Sequence, residues 1–308
     1  MAALRVIYIS QTGQDVEEEK PTQQEHDNED PTSENELYRA YDHMTTLLLF
    51  VGYSRSRHSL VSSLLDAHPH VIVADESYAL RKWVQSPVWK TTKSKYDFFD
   101  TMMGSSVSSF KHGRRSRDTK GSAANLQIFG YNIPDQWQAT YDRHIQVMGD
   151  KTAWDTAVML RQKGTDAIYE MERKLGVKVK FLHVVRNPFD NIATFVLRHR
   201  EIQARTADPD IKQINASDIL DTKIQLYNNW AEGSYVAQQS FPQDFINVVS
   251  MDVVKKPAGN TPENMRFPGY QLFRKVYPGL RGHSRPSPFS YPASHCMDGR
   301  TDKTECTQ

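Results

Sequence analysis

The chain holds only two cysteines in 308 residues, Cys296 and Cys306, both in a polar C-terminal tail. Two cysteines cannot make a disulfide framework, and no Cys/His cluster has zinc spacing. Free thiols are the plain reading, and no metal is implied. Long apolar runs are also missing. Ala2 to Ile9 is too short to cross a bilayer, and no convincing small-residue cleavage site follows it. Excess charge is scarce as well. The net charge of +1 conceals −7 over residues 1–40 and +8 over the remainder. The basic residues form no helical stripe interleaved with aromatics, so nucleic acid is not an expected partner. No internal repeat is evident.

Apolar strand-length runs alternating with helical patterns predict an α/β protein with helices on both faces of a mostly parallel sheet. Residues 1–44 are poor in apolar side chains and rich in Glu, Gln, Asp and Pro, and read as a disordered acidic tail. Residues 45–290 read as one domain and 291–308 as a flexible C-terminal tail. Within the domain, residues 78–127 stand apart. Between Arg81 and Lys120 there are ten Lys or Arg and three Asp, with Tyr96, Phe98, Phe99, Met102 and Met103 as the apolar cluster. This stretch reads as an insertion or lid beside the site, or more plainly as a solvated mobile loop.

Thr45 to Asp66, TTLLLFVGYSRSRHSLVSSLLD, is the most informative segment. Leu47 to Val51 is an apolar run of strand length, ended by Gly52. Ser54 to Ser59 contain no apolar side chain, and Leu60, Leu64 and Leu65 then recur at helical spacing. A polar loop between a buried strand and a helix N-terminus is suited to an anion. Its backbone N–H groups lack intrahelical partners, and the helix dipole favours negative charge. Arg55 and Arg57 add charge, and Ser56 and Ser59 add hydroxyls. A phosphate-bearing ligand is expected. The nucleoside-triphosphatase pattern G-x-x-x-x-G-K-[ST] is absent, for no Lys precedes Ser59 and the loop has one glycine.

A second segment has the same form. Val177 to Val185 is a β-rich run broken by Arg186-Asn187-Pro188. Asn187 suits an N-cap and Pro188 a first helical position, with Asp190 in the first turn. Ile192, Phe195 and Val196 then supply a helical apolar face.

Gly52 to Ser59 resembles the 5′-phosphosulfate loop of sulfotransferases, roughly G-[YFW]-[PR]-[KR]-S-G-[TS]-[TS]. Arg57 stands where that pattern has Gly, and His58 where it has Thr or Ser. Arg186, Pro188, Asp190 and Thr194 resemble the family's 3′-phosphate segment, R-[ND]-P-x-D-x-x-x-[ST]. The two matches lie in the family's order, about 130 residues apart. Tyr131 to Gln138 and Gly149-Asp150-Lys151 resemble segments of uncharacterised sulfotransferase-like proteins. Val248 to Tyr270 is similar to the family's late strand and following helix, with Ser250-Met251-Asp252 at their junction. The C-terminal R-K-G-x-x-G loop of the family is absent, and the basic stretch Gly279 to Arg285 is the candidate replacement.

The resemblance implies a P-loop-like sulfotransferase fold. It also implies 3′-phosphoadenosine 5′-phosphosulfate as co-substrate and transfer of a sulfuryl group to a small-molecule or carbohydrate acceptor. Arg55, Ser56, Arg57, His58, Ser59 and Leu60 would hold the 5′ end, and Arg186 and Thr194 the 3′-phosphate. Arg55 would also stabilise the leaving phosphate. Glu76, at the end of the Val71 to Ala74 strand, would be the base, with capping or lid pairing as its plainer role. His58 is the alternative base or simply a polar N-terminal residue. Lys151 either reaches the site or serves in a turn. A basic region at 78–127 would suit an acidic acceptor. Absence of an anchor points to the cytoplasm, and an upstream anchor would point to the Golgi lumen instead. Two other classes stay open: a kinase with a degenerate P-loop, and a non-catalytic nucleotide-binding protein on a sulfotransferase scaffold.

Overall fold

The computed structural model of the protein describes residues 38–91, 93–114, 130–133, 135–199 and 215–255. Five strands are present: β1 (Thr46–Val51), β2 (Val71–Ala74), β3 (Val147–Asp150), β4 (Lys178–Val185) and β5 (Phe245–Val249). They form one sheet in the order β2-β3-β1-β4-β5, and every neighbouring pair is parallel. The expected α/β architecture is therefore present, with the whole sheet parallel.

β1 is buried along its full length, because parallel strands covered on both faces are apolar on both faces. Successive side chains point to opposite sides. Leu47, Leu49 and Val51 join one core cluster, and Leu48 and Phe50 join the other. The first cluster is completed by helices α2 (Ala79–Gln85), α4 (Lys95–Lys111), α5 (Ala153–Lys163), α6 (Asp166–Leu175) and α8 (Ser217–Ser240). The second is completed by α1 (His58–Asp66) and by Val253 of α9 (Ser250–Lys255). A short α3 (Val88–Thr91) precedes α4, and α7 (Pro188–Leu197) follows β4. No helix among the described residues is long and apolar enough to cross a membrane.

Two boundaries are corrected. Residues 38–44 belong to the core and not to the acidic tail. Tyr41 and Met44 are buried, and the Tyr41 hydroxyl donates to Asp100 Oδ1 at 2.8 Å. The aromatic and apolar side chains at 38, 41 and 44 supply the area that the preceding residues lack. The described part of 78–127 contributes to the core. Phe98, Phe99 and Met102 of α4 are core residues, and its serines serve buried carboxylates. Ser106 Oγ donates to Asp66 Oδ1 at 3.1 Å, and Arg114, itself buried, is ion-paired to Asp66. The remaining tail residues, 115–129 and Gly279 to Arg285 lie outside the described residues.

The strand order sets where a ligand can enter. The chain leaves β1 toward β2 and leaves β4 toward β5, in opposite directions across the sheet. β1 and β4 are neighbours, so a crevice opens beyond their carboxyl ends. The two segments singled out above are the loops that follow these strands.

Candidate anion-binding site

The loop after β1 is held in an unusual backbone conformation. Gly52 has φ +127°, and a Cβ there would lie 2.7 Å from His183 Cδ2, so the glycine is required on both counts. Arg55 and Arg57 have φ of +68° and +74°, left-handed values that cost a non-glycine residue about 1–2 kcal/mol each. Arg57 is the N-cap of α1 and provides no side-chain cap. The first N–H groups of α1 therefore face the loop without a side-chain acceptor. Ser56 is fully buried; its hydroxyl donates to Tyr53 O at 2.9 Å and lies 3.0 Å from His58 Nε2. Ser59 and Leu60 are half-buried in the first turn.

The loop after β4 meets it directly. Arg186 Nη1 donates to Arg55 O at 2.8 Å, and Arg186 Nε is buried without a hydrogen-bond partner. Asn187 caps α7 as expected, its Oδ1 accepting from Phe189 N at 2.9 Å and Asp190 N at 3.4 Å, with Pro188 following. The Thr194 hydroxyl donates to Asp190 O at 2.7 Å, which leaves its lone pairs and not its proton for a ligand.

The third wall comes from the ends of β2 and β3. Asp150 is fully buried and accepts from Ser77 N at 3.0 Å, Ala79 N at 2.7 Å and the Thr152 hydroxyl at 2.7 Å. It thereby caps α2 from a different strand and fixes the turn that carries Glu76. Burial raises the Asp150 carboxyl above its ordinary range, and these donors counter the rise. Glu76 is itself left-handed, at φ +56°. Lys151 is buried and binds three places at once. Its Nζ is paired with Asp75, lies 3.9 Å from Glu76 Oε1 and donates to Ser59 Oγ at 3.2 Å. Lys151 thus ties the β2 turn to the first turn of α1.

Positive charge dominates the crevice. Arg55 is held below the usual guanidinium range by burial first, then by Arg198, and is raised by Glu76. Arg186 is lowered by burial and by Arg57, with Asp190 opposing. Lys223 of α8 is lowered by burial and by Arg55, and its Nζ sits 4.2 Å from the Phe195 ring centroid. Burial, then Lys151 and His183, push the His58 imidazole down to about 3. His58 is thus a neutral, inward-facing ring in edge contact with Phe50. As a base near neutral pH it is poorly placed, because it faces the loop interior and binds protons weakly.

No family model matches the chain, and no curated protein matches it. Among solved structures, the chain is similar to the sulfotransferase domain from the Synechococcus PCC 7002 olefin synthase. The identity is 11%, the overlap covers 76% of this chain and 78% of that one, and the TM-score is 0.37. A likeness this remote says nothing about activity.

The structure thus brings Arg55, Arg57, Ser59, Glu76 and Arg186 to one crevice, with Thr194 on the helix beside it. Ser56 and His58 are turned into the loop. Arg198, Lys223 and Asp150 went unassigned by motif reading. Arg198 lies four residues after Thr194 on the same helical face, a spacing visible in the sequence. Lys223 carries no such signal, because it reaches the site only through the packing of α8.

Proposed function

We propose that the protein is a sulfotransferase using 3′-phosphoadenosine 5′-phosphosulfate, with a hydroxyl or amine as acceptor. The observation that carries this reading is the hydrogen bond from Arg186 to Arg55 O. It joins the loops after β1 and β4, the two segments expected to bind anions, across 131 residues of sequence. A ligand with negative charge at two separated points fits that arrangement better than one with a single phosphate.

In this reading the uncapped turn of α1 and Arg55 hold the 5′ end, and Arg186, with Arg57 beside it, holds the 3′-phosphate. The acceptor oxygen bonds to sulfur as the bond from sulfur to the 5′-phosphate oxygen breaks, leaving adenosine 3′,5′-bisphosphate. By analogy with phosphoryl transfer the transition state is loose and in line, so positioning and charge stabilisation dominate. Arg55 faces the charge that grows on the leaving phosphate. Glu76 takes the acceptor proton, and Lys151 Nζ lies 3.9 Å from its Oε1. His58 and Ser56 shape the loop.

Calorimetry tests the reading. Adenosine 3′,5′-bisphosphate should bind more tightly than adenosine 5′-monophosphate by roughly 1.5–3 kcal/mol, the worth of one charge-assisted contact. Equal affinities would remove Arg186 from the proposed 3′-phosphate site.

A further inference from the structure

The side chain of Arg57 is held by a weak partner. Its Nη1 donates to Met251 Sδ at 2.8 Å, and among the described residues its guanidinium has no other hydrogen-bond acceptor. The two residues lie 194 apart in sequence, and the backbone places each of them. Arg57 is the left-handed N-cap of α1, and its carbonyl accepts from Val61 N at 3.3 Å. Met251 lies in the first turn of α9, directly after β5, and Val253 of the same helix packs against the core. A thioether is a weak acceptor, and an oxygen at the same place would hold a guanidinium more firmly. Met251 is also 38% exposed, whereas Met44, Met102, Met148, Met159 and Met171 are buried and Met103 is half-buried. The exposed methionine of the described residues is therefore the one that touches Arg57.

An exposed methionine is open to oxidation, which converts an apolar side chain into a polar one. The oxidant is a hydroperoxide. A lone pair of Sδ attacks the outer peroxide oxygen, and the S–O bond forms as the O–O bond breaks. Sulfur is oxidised to the sulfoxide, and the peroxide is reduced, to water in the case of hydrogen peroxide. The sulfoxide oxygen carries partial negative charge and accepts hydrogen bonds strongly. We propose that Met251 is a redox modification site, at which oxidation by a hydroperoxide gives a sulfoxide that binds the Arg57 guanidinium and withdraws it from the crevice. Anion binding then weakens, because the ligand must displace a charge-assisted hydrogen bond to oxygen in place of a contact to sulfur. The change is reversible, since methionine sulfoxide reductases return the thioether. The inference rests on the sulfotransferase reading, which places Arg57 beside the 3′-phosphate, and adds regulation to that site.

The test treats the full chain with hydrogen peroxide. Peptide mass spectrometry reads which methionines gain an oxygen, and titration calorimetry reads the affinity for adenosine 3′,5′-bisphosphate. Met251 should be oxidised faster than Met103 and the buried methionines. Its full oxidation should weaken bisphosphate binding about five- to tenfold. The two methionine sulfoxide reductases, one for each sulfoxide epimer, should restore the original affinity. Met251→Leu keeps the apolar bulk without the sulfur. After the same peroxide treatment it should bind within about twofold of its own untreated affinity, with every other methionine still present. Oxidation of Met251 no faster than the buried methionines overturns the proposal. Unchanged affinity in the oxidised wild-type protein overturns it, and so does an equal loss in peroxide-treated Met251→Leu. A loss that persists once mass spectrometry shows Met251 reduced again overturns it too. Failure of the parent reading shows separately, in the untreated protein, as equal affinity for the bisphosphate and the monophosphate.

Discussion

Arg57 separates backbone strain from ligand binding in a single side chain. Its φ of +74° is a value glycine adopts freely, so Arg57→Gly relieves about 1–2 kcal/mol of left-handed strain. Glycine also frees the unfolded chain, which takes back about 0.4–1 kcal/mol. The net expectation is a stabilisation of roughly 0.5–1 kcal/mol, or about 1–4 °C in Tm for a domain of this size. Donor binding should move the other way. The guanidinium next to Arg186 is removed, and a charge-assisted contact is worth roughly 1.5–3 kcal/mol, hence about 10- to 150-fold in Kd for adenosine 3′,5′-bisphosphate. Arg57→Ala keeps the strain and loses the charge. It should bind as weakly as the glycine variant and melt at or below the wild-type temperature. Differential scanning calorimetry and titration calorimetry on the three proteins decide the matter. A glycine variant that binds the bisphosphate as tightly as wild type, or more tightly, would refute the assignment of Arg57 as a ligand.

Glu76→Gln should leave bisphosphate affinity intact and lower turnover with any working acceptor by roughly 10²–10⁴-fold; near wild-type turnover removes Glu76 as the base. Arg55→Ala should lower kcat more than it weakens donor binding, because the charge it faces grows only as the sulfuryl group departs, and the reverse split in steady-state kinetics counts against that role. Asp150→Ala strips acceptors from Ser77 N, Ala79 N and the Thr152 hydroxyl, and should cost about 2–4 kcal/mol in urea unfolding, with a loss below about 1 kcal/mol contradicting its clamp role. His58 binds its proton near 3 in the folded state and near 6.5 when unfolded, so stability should be full above about pH 6.5 and fall by up to about 1.4 kcal/mol per pH unit as pH drops from there toward 3. His68 is lowered similarly by its burial, so in His58→Gln the acid limb of urea midpoints should flatten without vanishing; an unchanged limb would mean that His58 is protonated in the folded protein.

The legible parts of this chain were those with a local signal. β1 and β4 announce themselves as apolar runs ended by Gly52 and by Arg186-Asn187-Pro188, and the cap at Asn187 forms as its residue types imply. The shared crevice followed from two strand–loop–helix units in sequence, once the strands proved to be neighbours. Residues 95–111 misled because Lys and Ser suggest solvent. Their serines instead satisfy buried carboxylates, Ser109 Oγ donating to Asp75 Oδ2 at 2.7 Å, while Phe98, Phe99 and Met102 fill the core. Lys223 and Tyr227 could not be read, since nothing near them in the chain encodes which loop α8 will meet. The left-handed backbone at Arg55 and Arg57 was equally hidden, because arginine is not the residue such a φ predicts.

The hydrogen bond from Arg186 to Arg55 O has a thermodynamic consequence. It links the two halves of the crevice: whatever stiffens Arg186 also steadies the carbonyl of a strained residue in the β1 loop, and the reverse holds. Two ligands that each fill one half should therefore bind with a shared coupling free energy, and linkage makes that coupling the same in both directions. Inorganic phosphate at one end would then change the affinity of a nucleotide fragment at the other without touching it. A whole ligand that spans both ends would collect the coupling as an intramolecular advantage, which neither fragment can show by itself.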